Sequence, residues 1–181
     1  NAPTGYDTLA DCLDSITADT GNYVKIYQDI GDASATAILD TIDVKHNVMI
    51  DLNGHKLNNI KLGVNKLGVN KDVTLTLTGT AGSYVTQVYV RKGGGSFIID
   101  SEANVEFNTI FVEDSARLAV NDGAKVTTEQ LTVIASVNDD GTTTTSVKLA
   151  TGMKLGGLTY HRQNNSGALK LGNLLDVTRQ A

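Results

Sequence analysis

The chain has 181 residues, a single cysteine, no tryptophan, a net charge of -5 and a pI near 5.0. That length lets one domain bury about 70% of the surface its unfolded chain exposes, and the lone Cys12 excludes an internal disulfide framework or a cysteine-based zinc cluster. Fifteen scattered basic residues in an acidic chain do not suit a nucleic-acid backbone, and no apolar stretch approaches the ~20 residues that span a bilayer.

We therefore expect neither nucleic acid nor direct membrane insertion among the partners. The sequence begins at Asn1 rather than at methionine, and we expect a processed, exported product. Eighteen glycines, one proline and many Thr, Val, Asn and Asp residues give a β-rich composition broken by turns.

In chain order, only "YDTLADCLDSITADTG" has a helical period, with Tyr6, Leu9, Leu13 and Ile16 on one stripe. Asp7 or Thr8 can cap its start and Gly21 lies beyond its end, while Cys12 sits beside the stripe as a small buried hydrophobe rather than a nucleophile. After Gly21 the pattern becomes short alternating runs: 23–27, 37–44, 48–52, 73–79, 84–90, 96–100, 109–113, 117–120, 130–136 and 145–150.

An antiparallel sandwich and a parallel β-solenoid both produce such a series. The recurrent module, an apolar-x-apolar strand ending in a polar corner, favours the solenoid: "VMIDLNG", "VTLTLTG", "FIIDS", "FVEDS" and "LAVNDG" all repeat it. Its starts at Val48, Val73 and Phe97 lie 25 and 24 residues apart, the span of one rung of three short strands. Stacking would set Val48, Ile50 and Leu52 in register with Val73, Leu75 and Leu77, with Met49, Asp51, Thr74 and Thr76 facing solvent.

The pentapeptide "KLGVN" occurs in tandem at 61–65 and 66–70. Five extra residues in a period-two strand would exchange its faces, so we expect 61–70 to be an expanded corner. From Ala150 the chain turns glycine-rich, and 150–181 is expected to be an irregular last rung, a cap or an assembly arm.

Three segments, "YDTLADCLDSITADTGNYVKIYQDI", "HNVMIDLNGHKL" and "KDVTLTLTG", carry a resemblance. They resemble the opening of right-handed parallel β-helix (pectate-lyase-like) segments of secreted bacterial surface proteins, adhesins and some phage structural proteins. In that family a short helix precedes a strand of the "vkLlkDi" type, and a rung then carries an "IDLNGhtl" signature. The likeness runs through Thr80; beyond it only the strand-and-corner rhythm continues. It implies a fold rather than a ligand, because adhesins, surface layers, phage fibres and polysaccharide-processing enzymes share such segments.

The expected architecture is an all-β single domain over 1–181: a single-stranded right-handed parallel β-helix (β-solenoid) with a short N-terminal capping helix. Residues 1–21 hold the helix and 22–149 the rungs.

Asp51, Asn53 and Gly54 read as a structural corner, since Asn bonds nearby backbone and both Asn and Gly accept left-handed conformations. His55 has no second histidine nearby, and "NDDG" at 138–141 and "NDG" at 121–123 lack a repeated ligand series, so no metal and no cofactor is expected. Glycoside hydrolysis needs two carboxylates about 5–10 Å apart, for which Asp51 with Asp100 is the best pair, but no dense charged set accompanies them.

Recognition has better candidates. With Val88 and Val90 inward, Gln87, Tyr89 and Arg91 form an outward row; Tyr160, His161, Arg162 and Gln163 share a glycine-flanked loop. Together these readings point to a non-enzymatic structural or adhesive protein on a cell surface, in the extracellular space or on a virion. It would act as a homo-oligomer or larger assembly, with a cell-surface glycan or protein as its expected partner; a polysaccharide-binding or polysaccharide-cleaving protein is the alternative.

Overall fold

A short strand leaves half of its backbone donors and acceptors unpaired on each edge, so the fold is decided by where each run finds its neighbours. The structure is a computed structural model and describes residues 4–30, 42–57, 66–162 and 175–177.

Helix α1 covers Leu9–Asp14, with extended Thr8 as N-cap: its Oγ1 accepts the Asp11 N–H at 3.1 Å. Leu9 and Leu13 are buried in the core, Ile16 is partly buried and Tyr6 stays exposed, so the helix is one short turn-and-a-half that seats two leucines. Cys12 packs against the same core. Gly21 then turns the chain at φ +72° into the first strand.

Among the described residues all remaining elements are strands in two parallel sheets. The first sheet runs β1 (Tyr23–Lys25), β3 (Val48–Asp51), β6 (Thr74–Thr78), β8 (Ser96–Ile99), β10 (Arg117–Val120), β12 (Ser146–Leu149) and β14 (Leu175–Val177). The second contains β2 (Ile42–Val44), β5 (Lys66–Val69), β7 (Ser83–Val90), β9 (Asn104–Val112), β11 (Lys125–Ala135) and β13 (Lys154–Arg162), with β4 (Lys56–Leu57) beside the start of β7. From β6 onward the chain alternates between the sheets at every step. Parallel neighbours need a long crossover, and here each crossover is itself a strand of the opposite sheet rather than a helix. Every strand pair among the described residues is parallel, which removes the antiparallel sandwich.

The two sheets share one core. Apolar residues stack in columns across the first sheet (Val48, Leu75, Phe97, Leu118, Val147) and the second (Leu67, Val88, Ile110, Leu131, Leu158). Each fully buried Val, Leu, Ile or Phe is worth about 1.5–3 kcal/mol, so these columns dominate stability.

Three expectations are corrected. Val48 pairs with Leu75, not Val73, and Leu75 pairs with Phe97, so these repeats are 27 and 22 residues rather than 25 and 24. The reason is local: Val73 closes a turn on the Asn70 carbonyl after Asp72 at φ 58°, and the strand begins only at Thr74, whose N–H donates to Asn47 Oδ1 at 2.8 Å. The second "KLGVN" copy is no corner, because Lys66–Val69 is β5, with Leu67 and Val69 inward between β2 and β7; the first copy lies outside the described residues. Finally, the segment after Ala150 is not irregular where it is described: β13 and β14 extend the two sheets.

Strands β7, β9, β11 and β13 are long because each is two pieces joined at a bend. Thr86, Asn108, Glu129 and Gly156 drop out of the ladder at equivalent positions, and the alternation changes phase there, leaving Val85 and Val88, or Phe107 and Ile110, all inward. Thr128 Oγ1 ties the bend to the Asn108 and Gln130 carbonyls at 3.3 and 3.2 Å. At Gly156 a Cβ would lie 2.6 Å from the Glu129 carbonyl oxygen, so only glycine fits there.

Candidate functional site

The corner after β3 shows how residues that look catalytic are used by the backbone. Asp51 Oδ1 accepts the Asn53 N–H at 2.9 Å, and its Oδ2 accepts the Tyr23 hydroxyl at 2.7 Å. Asn53 (φ 52°) and Gly54 (φ 79°) both adopt the left-handed conformation, and the His55 N–H closes the turn on the Leu52 carbonyl at 2.8 Å. Asn53 Nδ2 reaches the Ile26 carbonyl (3.1 Å) and the Gly54 N–H donates to Ser83 Oγ (2.9 Å), so the corner is tied to the strands before and after it.

The N-terminal strands are clamped by a repeated device. Asp19 Oδ1 meets His46 Nδ1 at 3.0 Å and accepts the Asn47 N–H; Asp29 Oδ1 meets His55 Nδ1 at 3.2 Å and accepts the Lys56 N–H. The backbone donors, aided by the imidazoles, hold both carboxyls below the usual aspartate value. Tyr23 responds oppositely: its hydrogen bond to the Asp51 carboxylate pushes the phenol up to about 12. Burial raises the Cys12 thiol, which makes it a poor nucleophile.

The expected acid pair shares an outward column. Asp51 lies beside Thr78, and the Asp100 N–H bonds the Leu77 carbonyl, placing the two acids two strands apart, about 9.6 Å at the usual strand spacing. Yet both Asp51 oxygens are already engaged, and neither acid lines the cleft beside Asn104–Lys125 or the cleft between α1 and β1. "NDDG" is a turn in which Asp140 Oδ1 accepts the Thr142 N–H (2.9 Å), and Gly123 of "NDG" takes φ 95°. Among the described residues no three His, Cys, Asp or Glu side chains converge as a metal site would require.

The row on β7 faces outward. Gln87 and Tyr89 are half-buried between inward Val88 and Val90, and Arg91 follows at the strand end. Tyr89 stacks on Phe111 of the next strand, with ring centroids 4.6 Å apart and planes 20° from parallel. Arg91 donates to Asp43 Oδ1 at 3.0 Å, and the column through Gln87 continues through Thr109 to Gln130, whose amide donates to Thr159 Oγ1 at 2.7 Å. The result is a lateral face of flat rings, amides, hydroxyls and one guanidinium on rigid strands.

The second candidate group does not hold together. Tyr160 and His161 lie in β13, not in a loop, and neighbours in a strand face opposite ways: Tyr160 packs towards the core while His161 is exposed. Arg162 ends that strand beside Ala135; its side chain and Gln163 lie outside the described residues.

Phe111 and Asp43 belong to the lateral face but were not singled out in the sequence. The 22-residue offset from Tyr89 to Phe111 would have identified the first, once the register was known. A second feature was also missed: Tyr6, Tyr23 and Tyr27 line an open cleft of about 1000 Å³ between α1 and β1. Compared with known proteins, the chain matches no family model, no curated protein and no solved structure.

Proposed function

We propose that the chain is a right-handed parallel β-solenoid that serves as a non-enzymatic structural or adhesive scaffold on a cell surface, outside the cell or on a virion. The observation that carries this reading is the unbroken stack: strands that alternate between two parallel sheets, bend at equivalent positions and share one core. In a solenoid, each turn would contribute one strand of the first sheet and two short pieces of the second, and like residues would recur on the same face of successive turns. Such a body gives a rigid lateral surface for Gln87, Tyr89 and Arg91, with Phe111 and Asp43 beside them. Rings and planar amides on fixed strands bind at low entropic cost, because little is left to order.

The engagement of Asp51 by its own corner favours a scaffold over a hydrolase. The deciding experiment incubates the protein with a panel of polysaccharides, measuring bound protein together with release of reducing or unsaturated ends. Retention without cleavage, weakened by Tyr89→Ala, supports the reading. Release of new ends that disappears in Asp51→Asn or Asp100→Asn overturns it in favour of an enzyme. The Tyr89–Phe111 stack favours a glycan as the bound molecule, the second reading; a bound protein without glycan retention would remove it.

A further inference from the structure

Asn53 is the only asparagine in the chain that is followed by glycine, and the pair forms the corner after β3. That dipeptide carries a reaction of its own. The backbone nitrogen of Gly54 can attack the side-chain carbonyl carbon of Asn53, and glycine leaves the approach unhindered because it has no Cβ. A bond forms from Gly54 N to Asn53 Cγ and the Cγ–Nδ2 bond breaks; the Gly54 amide proton leaves with Nδ2 as ammonia. Water then opens the cyclic imide at either carbonyl. One opening gives aspartate at 53 with the backbone restored, and the other gives isoaspartate, whose backbone runs through the former side chain and is one methylene longer.

The folded corner engages both reacting groups elsewhere. The Gly54 N–H donates to Ser83 Oγ at 2.9 Å, and Asn53 Nδ2 donates to the Ile26 carbonyl at 3.1 Å. Ser83 is 1% exposed and packs so closely over Gly79 that a Cβ there would collide with its side chain, so the acceptor is fixed in place. To reach Cγ, Gly54 N must leave Ser83 and lose its proton, and Nδ2 must leave the Ile26 carbonyl. These partners lie 29 and 27 residues away in sequence, so the restraint exists only in the folded chain.

We propose that Asn53 is a site of spontaneous deamidation that the fold holds closed, with water as the only co-reactant, and that the reaction proceeds from molecules in which this corner has opened. A reacted corner closes poorly. Aspartate at 53 sets an acceptor against the Ile26 carbonyl, where Nδ2 had donated, within the same turn as the Asp51 carboxylate. Isoaspartate lengthens a turn that the His55 N–H closes on the Leu52 carbonyl, and the extra length falls on β4, which pairs with β7 from Lys56. The chemistry needs no ligand and holds whether or not the chain is a scaffold.

The test compares the full chain in buffer and in guanidinium chloride at one mildly alkaline pH, following Asn53 by peptide mass mapping and chromatographic separation of the isoaspartyl peptide. In denaturant Asn53 should react first among the asparagines; in buffer it should react about tenfold or more slowly, as a step gated by local opening does. Ser83→Ala removes one hydrogen bond, so the rate in buffer should rise roughly twofold to tenfold while the rate in denaturant stays the same. Amide hydrogen exchange reads the same gate: in Ser83→Ala the Gly54 N–H should lose protection while the core amides of Leu75 and Leu77 keep theirs. Asn53→Asp should melt below the wild type at neutral pH. Equal rates in buffer and denaturant overturn the proposal, as does another asparagine reacting before Asn53 in denaturant. A Ser83→Ala protein whose Gly54 amide exchanges faster while Asn53 reacts at the wild-type rate also overturns it, and if that variant unfolds outright the wild-type comparison decides alone. An Asn53→Asp chain as stable as the wild type overturns the claim that a reacted corner closes poorly.

Discussion

Replacing Gly54 with valine tests whether the corner after β3 is architecture. Gly54 sits at φ 79°, and a Cβ there would approach Thr80 Oγ1 to 3.3 Å and the Ala81 carbonyl oxygen to 3.4 Å. A left-handed L-residue costs about 1–2 kcal/mol, and a β-branched side chain adds crowding at χ1, so about 2–3 kcal/mol is expected in total. For a chain of this size each kcal/mol moves the melting midpoint by roughly 2–4 °C, giving a drop of about 5–10 °C. His55→Ala removes only an exposed imidazole–carboxylate contact, worth under about 1 kcal/mol, and should shift the midpoint by a few degrees at most. Gly54→Asn is the control, since asparagine tolerates the left-handed region and Asn53 already occupies it. Calorimetry of the three variants at one pH decides the matter. If His55→Ala melts lower than Gly54→Val, or valine is as stable as asparagine, the corner is not held as described.

Phe97→Ala should cost about 3–5 kcal/mol, because the ring is fully buried and packs edge-to-face on Phe107 with centroids 5.9 Å apart; a shift of the urea midpoint at unchanged slope measures it. On the acid side, Asp19 and Asp29 have folded values below their unfolded ones, so their contribution is fully present above the unfolded value and is lost as pH falls through the folded values. Asp19→Asn with Asp29→Asn should therefore flatten the acid limb of the stability–pH curve while lowering the plateau at neutral pH. On the alkaline side, Tyr23 is raised to about 12, so its contribution is present below the ordinary tyrosine value near 10 and fades as pH rises through about 12. Tyr23→Phe should remove the phenol that titrates near 12 from an ultraviolet difference titration and flatten stability loss over the same window.

Composition and periodicity alone determined that the described residues are strands with polar corners and a single short helix, because apolar-x-apolar runs bounded by Asn, Asp and Gly leave few alternatives. The two-residue alternation likewise placed Val88 and Val90 inward and Gln87, Tyr89 and Arg91 outward, since side-chain direction in a strand is a local property. Register is not local. Whether Val48 faces Val73 or Leu75 depends on how many residues the intervening corner consumes, and Asn47 and Asp72 settle that across strands rather than along them. The duplicated "KLGVN" misled for the same reason, since a strand and an expanded corner differ only in whether β2 and β7 lie on either side of it. Tyr160 and His161, neighbours in sequence, were parted by the strand that contains them, while Tyr89 and Phe111, 22 residues apart, were brought into contact by the stack. What only the tertiary structure decided was the register between neighbouring strands of each sheet, because the hydrogen bonds that fix it join residues more than twenty positions apart.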